Sequence, residues 1–373
     1  MPPITVEYEC LYVHVPFCAD KCDYCTFYSE GASTAAQHNA YLDRLDHELT
    51  EPRQPLTSLS AIFIGGGTPN FLAADKLRRL LQIVRSHCQV RAGTELTVEC
   101  NPEHLHPAKI AVMAEADVNR VSLGVQSFQA KTRRRLGRCG SVNDLGERCQ
   151  QLREHGIDNL SLDLIYGVPR QSIDDWHSDL TTAMTLEPTH LSAYELSVDK
   201  ESSSGRRNNI HPPDPDQALA LWRETDKICR KHGLKRYEIS NFARPGYACR
   251  HHDAVWHGAP YLGCGPAACS FDGRVRWTNP SSLNLWLTGA PPTIDAIPIR
   301  RRAAEILAFG LRTCRGWSAA EFKRRSGFDL WRLHGPQLTA LCEEKLLANQ
   351  GDRIRPTAKG LLFADHIASR LLA

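Results

Sequence analysis

The stretch LYVHVPFCADKCDYC, residues 11–25, is the most informative part of this sequence. It joins a short apolar strand to three closely spaced cysteines, Cys18, Cys22 and Cys25. Three thiolates on one tight loop can bind three irons of a cubane cluster and leave the fourth iron open. A cluster that only transfers electrons normally has four cysteine ligands. The pattern therefore predicts an iron–sulfur site that an outside molecule completes.

A zinc site is the simpler alternative for the same three cysteines. Structural zinc needs a fourth ligand, usually from a second Cys-x2-Cys or a His-x3–5-His pair downstream. The only such candidate is the pair His251 and His252 beside Cys249. Because adjacent histidines have the wrong spacing, the sequence favours the cluster.

The composition is that of a folded globular protein and excludes several classes of function. The chain has 373 residues, of which 42% are hydrophobic and 23% charged. Its net charge of +3 is too small to indicate nucleic acid or an anionic membrane as a partner. No apolar run approaches the ~18 residues of a membrane span, and no secretory signal is visible. We expect a cytoplasmic protein with reduced cysteines.

Short apolar strands alternate with helical stretches over the first half of the chain. The predicted strands are Leu11–Val15, Ala61–Ile64, Glu95–Glu99, Arg120–Val125, Asn159–Leu164 and His190–Glu195. The predicted helices are Ala35–Leu49, Ala74–Ser86, Pro107–Ala116, Val142–His155 and Ile173–Leu186. Such alternation indicates a parallel sheet with outer helices. We predict an α/β fold built on a partial (β/α)6 barrel.

The pattern changes after Glu195, and three domains are expected. Residues 1–200 form the barrel with the cysteine loop, 201–298 an α+β extension, and 299–373 a small C-terminal helical, winged-helix-like domain. The expected later elements are a loop at 200–209, helices at Leu219–His232, Arg302–Leu311, Ala319–Arg325 and Gln337–Leu347, strands at Arg236–Ile239 and Arg353–Arg355, and a last helix. Ala243–Thr293 shows little regular period. The basic runs near the carboxyl terminus are interpreted as solvated helix faces rather than a DNA-binding surface.

Polar residues follow several of the predicted strands. The second strand runs into GGGTP, residues 65–69, while Glu99 and Gln126 end the third and fourth strands and Asp163 lies in the fifth. Ligands of parallel sheets bind beyond the carboxyl ends of the strands. Each residue alone could be a water-facing edge residue. Four strands that deliver polar groups beside the cysteines predict a binding site.

Taken together, these motifs resemble the radical S-adenosylmethionine (SAM) superfamily and, within it, the HemN/HemW branch. The matching segments are YVHVPFC (12–18), GGGTP (65–69), ECNP (99–102), GVQSF (124–128), LGR (136–138), DLIYGVP (163–169) and YEISNFARPG (237–246). The resemblance implies a 4Fe–4S cluster on Cys18, Cys22 and Cys25, with SAM on the open iron. Cleavage of SAM would release a 5′-deoxyadenosyl radical. By motif position, the implied cofactor contacts are Tyr12, Tyr24, Gly66, Gly67, Thr68, Glu99, Gln126, Arg138 and Asp163.

Two functions compete inside this branch. Coproporphyrinogen III dehydrogenases, which decarboxylate propionate chains oxidatively, typically carry a cysteine two residues after the third ligand, where this chain has Phe27. The run CTFYS, residues 25–29, instead resembles HemW-like haem chaperones. The resemblance favours the chaperone, with the dehydrogenase or another radical SAM tetrapyrrole enzyme as the alternative. It implies as partners haem or another tetrapyrrole, a haem-accepting protein, an electron donor and a transient membrane-protein contact, and no nucleic acid.

The implied haem site departs from the family pattern. The family motif His-Asn-x-x-Tyr-Trp reads HHDAVW here, residues 251–256, which keeps the first His and the Trp. A Gly-Ala-His pattern is replaced by Ala-Ala-Cys ending at Cys269, and the usual Gly-Thr is absent around residues 199–201. His251 or Cys269 could ligate haem iron. Alternatively, His251 hydrogen-bonds within a loop and Cys269 is a small packed residue.

Overall fold

The computed structural model describes residues 7–51, 56–138, 140–197 and 213–373. Within these ranges the chain forms one sheet of twelve strands and a second sheet of three. No helix in the described ranges is long and apolar enough to cross a membrane. The predicted loop at 200–209, the Gly-Thr position at 199–201 and the predicted boundary between residues 200 and 201 lie outside the described residues.

The predicted alternation of strands and helices is confirmed. The first six strands are β1 (Cys10–Val15), β2 (Ala61–Gly66), β3 (Glu95–Cys100), β4 (Arg120–Gln126), β5 (Asn159–Tyr166) and β6 (His190–Glu195). They lie side by side in chain order and are all parallel. Their carboxyl ends therefore meet at one edge, as the sequence predicted.

Helices cover the outer face of this sheet. They are α1 (Ala35–Thr50), α2 (Ala74–His87), α3 (Pro107–Glu115), α4 (Ala130–Arg135), α5 (Leu145–Glu154) and α6 (Ile173–Thr185). The apolar stripe of α2 is buried as predicted. Capping boxes begin α1 at Thr34 and α6 at Ser172, which satisfies backbone N–H groups that a helix start would otherwise leave free. The short α4 was not predicted.

The segment after β6 widens the same sheet at both edges. It contains α7 (Pro215–Lys231), β7 (Lys235–Arg236), β8 (Asn241–Ala243), α8 (Arg250–Trp256), β9 (Tyr261–Cys264), β10 (Cys269–Phe271), β11 (Arg276–Thr278), α9 (Leu283–Leu287) and β12 (Thr293–Asp295). Strand β8 pairs with β6 and β9 with β1. The sequence Ala243–Thr293 shows little regular period because its strands are only three or four residues long, which is too short to show one.

The predicted strand Arg236–Ile239 is also shorter than expected. It ends at Arg236, whose guanidinium donates to the Ile239 carbonyl across a turn. The Ser240 N–H donates to the Glu238 carboxylate at 2.9 Å and closes the same turn. Side-chain hydrogen bonds to nearby backbone thus compete with the strand.

The carboxyl-terminal part has its own hydrophobic core and a three-stranded sheet. Its elements are α10 (Ile299–Gly310), β13 (Trp317–Ser318), α11 (Ala319–Ser326), α12 (Leu330–Glu343), β14 (Leu347–Gln350), β15 (Arg353–Pro356), α13 (Ala358–Leu362) and α14 (Ala364–Leu372). Helices with a small sheet agree with the winged-helix-like expectation. The predicted helix through Leu347 was wrong, because Lys345 adopts a φ of 59° and ends it.

Candidate functional site

The cysteine loop leaves the end of β1 and lies against the glycine loop that follows β2. The Cys18 N–H donates to the Glu30 carbonyl at 3.0 Å, and the Cys25 N–H donates to the Cys22 carbonyl at 3.2 Å. The Cys18 sulfur lies 3.5 Å from the Thr68 hydroxyl. These contacts shape a tight loop, and its three cysteines are half-buried and form no disulfide.

A cavity of about 480 Å³ lies between this loop and the carboxyl ends of the strands. All three cysteines line it. So do eight of the nine implied cofactor-contacting residues: Tyr24, Gly66, Gly67, Thr68, Glu99, Gln126, Arg138 and Asp163. The ninth, Tyr12, lines a neighbouring pocket instead. The structure therefore brings most of the predicted site together at one edge of the sheet.

The donor set fits a cluster better than a single metal ion. Among the residues described, no three His, Cys, Asp or Glu side chains converge on one metal position. A cubane does not need such convergence, because each cysteine binds a different iron. Burial raises the pKa of the Cys18 and Cys25 thiols. Metal binding at these thiols must therefore displace protons.

The glycine loop needs glycine for steric reasons. Gly66 has a φ of 106°, and an added Cβ would lie 2.5 Å from the His14 ring. A Cβ on Gly67 would lie 2.8 Å from the Phe17 carbonyl oxygen. The Gly67 N–H donates to the Val15 carbonyl at 2.8 Å, which ties this loop to the end of β1. Side chains here would separate the two loops that form one wall of the cavity.

Two carboxyl groups, those of Glu99 and Asp163, line the cavity. The Gly66 N–H donates to Glu99 Oε2 at 3.0 Å, and burial, with the nearby Asp163, raises the pKa of Glu99 to about 7. Burial also raises the pKa of Asp163, while hydroxyl donors such as Ser122 at 3.0 Å lower it. A cationic ligand beside these groups would favour their ionised forms.

Arg138 supplies a positive group on the cysteine side of the cavity. Its Nη1 donates to the Cys22 sulfur at 3.6 Å and its Nη2 to Asn101 Oδ1 at 2.9 Å. The side chain is buried, and its Nε has no hydrogen-bond partner among the described residues. A guanidinium with a spare donor suits a ligand carboxylate.

Three further residues, Ser161, His190 and Tyr237, connect Asp163 to the barrel interior. Of these, only Tyr237 lies in a segment that carries the family resemblance. The Ser161 hydroxyl donates to Asp163 at 3.2 Å, so it accepts from His190 Nδ1 at 2.8 Å. The other ring nitrogen of His190 must then accept from the Tyr237 hydroxyl at 2.8 Å. Burial holds the pKa of His190 well below its usual value, in keeping with this neutral tautomer. The chain of hydrogen bonds fixes the orientation of Asp163.

A second pocket of about 910 Å³ adjoins the first cavity. Both are lined by Lys21, Gly66, Glu99 and His252, together with Thr26 and Phe27. The second pocket also contains both implied haem residues, His251 and Cys269, and the aromatic side chains of Tyr12, Tyr28, Phe63 and Tyr261. Such a lining suits a flat, largely apolar ligand.

His251 is a buried histidine with a ring nitrogen that has no hydrogen-bond partner among the described residues. Its ring stacks near Tyr12 and Phe63 with centroid distances of 6.1 and 5.0 Å. Its Nδ1 is buried and without a partner among the described residues. Burial lowers the pKa of His251 to about 4, so the ring is neutral at pH 7. By contrast, the Cys269 sulfur accepts a hydrogen bond from the Tyr261 hydroxyl at 3.5 Å.

The position of Tyr12 follows from its hydrogen bond to His14. The Tyr12 hydroxyl lies 3.0 Å from His14 Nδ1, and His14 Nε2 lies 2.9 Å from the Tyr28 carbonyl oxygen. A carbonyl only accepts, so His14 Nε2 carries the proton and Tyr12 donates. This arrangement places Tyr12 in the second pocket, beside His251.

Family models match two parts of the chain. The model of the radical SAM superfamily matches residues 12–183, and the model of the HemN C-terminal domain matches residues 300–363. The first match contains the cysteine loop and strands β2 to β5, and it ends within α6, before β6. The second covers much of the carboxyl-terminal part with its separate core.

Whole-chain comparisons point to one branch. The chain is 30% identical to "Heme chaperone HemW" of Lactococcus lactis, over 97% of this chain and 96% of that protein. It is 31% identical to the protein of the same name from Mycobacterium tuberculosis, over 97% and 94%. The structure of coproporphyrinogen III oxidase (HemN) from Escherichia coli shares the fold, with a TM-score of 0.83 at 23% identity over 98% of this chain and 90% of that one. The resemblance drawn from the motifs is thereby confirmed: the chain belongs to the HemW family of radical SAM proteins.

Proposed function

We propose that this protein is a haem chaperone that holds haem beside a radical SAM centre. The supporting observation is the pair of adjoining cavities, which share Glu99, Lys21 and His252 as walls. The first has the cysteines and polar groups for a cluster and SAM, which family membership implies. The second is large, aromatic and carries a neutral, unpartnered histidine.

In this proposal Cys18, Cys22 and Cys25 hold the 4Fe–4S cluster. When bound, the cluster supplies the electron that cleaves the carbon–sulfur bond of SAM. Arg138 then suits the carboxylate of SAM through its free Nε–H, and Glu99 and Asp163 suit its ammonium and hydroxyl groups. Gly66, Gly67 and Thr68 let the ligand approach the backbone. Tyr24 and Gln126 complete the same cavity.

In this proposal the second pocket would hold haem, and His251 would bind its iron. The neutral ring can donate a lone pair to iron without first losing a proton. The Cys269 thiol is the alternative ligand in the same pocket, although Tyr261 already donates to its sulfur. The aromatic residues that line this pocket would pack against the macrocycle, which matches the stacking preference of a flat π-system.

Lys21 provides the cation that haem propionates need. It is the one lysine or arginine among the described residues that line the second pocket, and it is exposed. A propionate near the mouth of the pocket would stay partly hydrated and would also pair with the Lys21 ammonium group. Because Lys21 belongs to the cysteine loop, haem bound this way would contact that loop directly.

The proposal includes two partner proteins, one that accepts the haem and one that donates electrons. It also includes a cytoplasmic location and a transient contact with a membrane protein. Oxidative decarboxylation of coproporphyrinogen III is less favoured. Phe27, which replaces the cysteine typical of those enzymes, is 64% exposed and lines both cavities. An apolar ring at that place suits packing against a macrocycle better than redox chemistry.

Haem titration of the cluster-loaded protein tests the assignment. The wild type should give a Soret shift with one haem per chain, and His251→Ala should lose or displace it. His232→Ala, which removes an exposed histidine outside both cavities, should bind as the wild type does. Loss of the shift in Cys269→Ala with retention in His251→Ala would move the ligand to the thiol. Absence of any haem binding, with carbon dioxide released from coproporphyrinogen III, would overturn the chaperone function.

A further inference from the structure

A third cavity, remote in sequence from the cysteine loop, lies between the barrel side and the carboxyl-terminal part. We call it the basic groove: α7 and β7 form one wall, and β14, β15 and α13 form the other. Its volume is about 1310 Å³. Small-molecule pockets usually measure about 300–1,000 Å³. The size therefore favours a segment of polypeptide over a small ligand.

Positive charge dominates the basic groove. Seven lysine and arginine side chains line it among the described residues, against a single carboxylate, Asp226. Asp226 is already paired with Arg230 at 2.8 Å. The exposed side chains of Arg223, Lys235 and Arg355 form no ion pair with any residue the structure describes. Such uncompensated charge is what an acidic partner would neutralise.

Arg236 is a positioned cation inside the basic groove. Its side chain is only 8% exposed, and its guanidinium lies 3.5 Å from the centroid of the Trp222 ring and 4.2 Å from that of Phe242. Its Nε lies 3.6 Å from the Asp226 carboxylate and its Nη1 donates to the Ile239 carbonyl, but its Nη2 has no hydrogen-bond partner among the residues described. Native proteins rarely bury a charged donor without a partner. The spare donor is an observation separate from the surface charge, and it also points to an anionic ligand.

Apolar residues between the cations decide which class of anion fits. Leu219 and Trp222 on one wall face Leu361 and Leu362 on the other, and Leu362 is 42% exposed. Single-stranded nucleic acid needs free aromatic faces for base stacking, but the face of Trp222 is occupied by Arg236. Proteins bind a membrane surface through a protruding amphipathic face rather than through a concave groove. A chain that alternates acidic and apolar side chains matches both features.

We propose that the basic groove binds an acidic, partly apolar segment of a partner protein. The segment would contact the barrel side and the carboxyl-terminal part at once, and its carboxylates would pair with Arg223, Arg355 and Arg236. This inference goes beyond haem binding and does not depend on it, because the basic groove shares no residue with either cavity of the candidate site.

The test uses a fluorescein-labelled peptide of alternating glutamate and leucine, measured by fluorescence anisotropy with the full-length protein near physiological salt. The same peptide with glutamine for glutamate, a short single-stranded DNA, and vesicles containing phosphatidylserine are the comparison ligands. The double variant Arg223→Glu, Arg355→Glu reverses two unpaired charges of the basic groove. Arg300→Glu, Arg301→Glu makes the same change in net charge on exposed residues of α10 outside it.

We expect the acidic peptide to bind at least about tenfold more tightly than its neutral counterpart. A tenfold lower Kd is about the gain expected from one well-formed contact between opposite charges. The groove variant should lose that binding, while the α10 variant should keep it. Arg236→Met, with folding checked by thermal melting, should weaken binding as well. If both double variants lost the same amount of peptide affinity, the binding would depend on net charge alone, and the proposal would be overturned. Failure of the acidic peptide to bind, or tighter binding of DNA or vesicles that depends on Arg223 and Arg355, would also overturn it.

Discussion

Replacement of Glu99 by glutamine should make the protein more resistant to unfolding at high pH. Burial and the neighbouring Asp163 raise the pKa of Glu99 from 4.5 to about 7. The native state therefore holds this proton more tightly than the unfolded chain does, and the resulting stability is lost as the pH rises through about 7. One pKa unit corresponds to about 1.4 kcal/mol, so ionised Glu99 costs the native state about 3 kcal/mol. Of this cost, about 2 kcal/mol develops between about pH 5.5 and pH 8.

The assay is urea unfolding of the cofactor-free protein at about these two pH values. Glutamine can still accept the Gly66 N–H, so Glu99→Gln removes the charge and keeps the hydrogen bond. Asp179 and Glu238, whose pKa values burial raises to about 6, titrate in the same range, but their contributions cancel between wild type and variant. Glu147→Gln, at an exposed position, is the matched control. If Glu99→Gln lost as much stability with rising pH as the wild type, the electrostatic account of the cavity would be wrong.

Three other changes test separate parts of the site. Lys21→Gln should weaken the binding of haem by about tenfold, which is the contribution of one charge-assisted contact. It should leave the binding of haem dimethyl ester unchanged, and Lys21→Arg should restore the binding of haem. Equal affinities of the wild type and Lys21→Gln for haem would exclude the propionate contact. Gly67→Ala should lower the melting temperature and abolish SAM binding, measured by equilibrium dialysis, because its Cβ would meet the Phe17 carbonyl. Gly31→Ala, whose Cβ would have nothing within 4 Å, should change neither the melting temperature nor SAM binding. Tyr237→Phe removes the donor to His190 and should cost about 1–2 kcal/mol in urea unfolding; an unchanged midpoint would show that this hydrogen bond does not hold Asp163.

The barrel was predictable from sequence because its strands are buried on both faces. Ile62 and Ile64 of β2 and Val121 and Leu123 of β4 are fully buried. The sequence of β2 is therefore a nearly continuous apolar run, while that of β4 carries apolar residues at every second position. The sheet edge that carries the site was also predictable, because the carboxyl ends of parallel strands lie at the same edge. The positions of Glu99 and Asp163 beside the cysteines were therefore predictable from the sequence.

The rest depends on contacts between segments far apart in the chain. Strand β9 is four residues long and forms only because β1, some 250 residues earlier, offers it an edge. The hydrogen bonds from Asp163 to Tyr237 join β5, β6 and the segment after α7, so no local pattern reports them. The adjacency of the two cavities is likewise a product of how α8 packs on β2. The domain boundaries at 200 and 298 stay predictions.

The most direct test of the account is the metal content of the anaerobically reconstituted protein and its cysteine variants. We predict about four irons and four sulfides per chain and, after reduction, an electron paramagnetic resonance signal that changes when SAM is added. Cys18→Ala, Cys22→Ala and Cys25→Ala should each lose the cluster, while Cys314→Ala, outside the cysteine loop, should keep it. A full iron content in the three loop variants, or zinc in the wild type, would contradict the central claim.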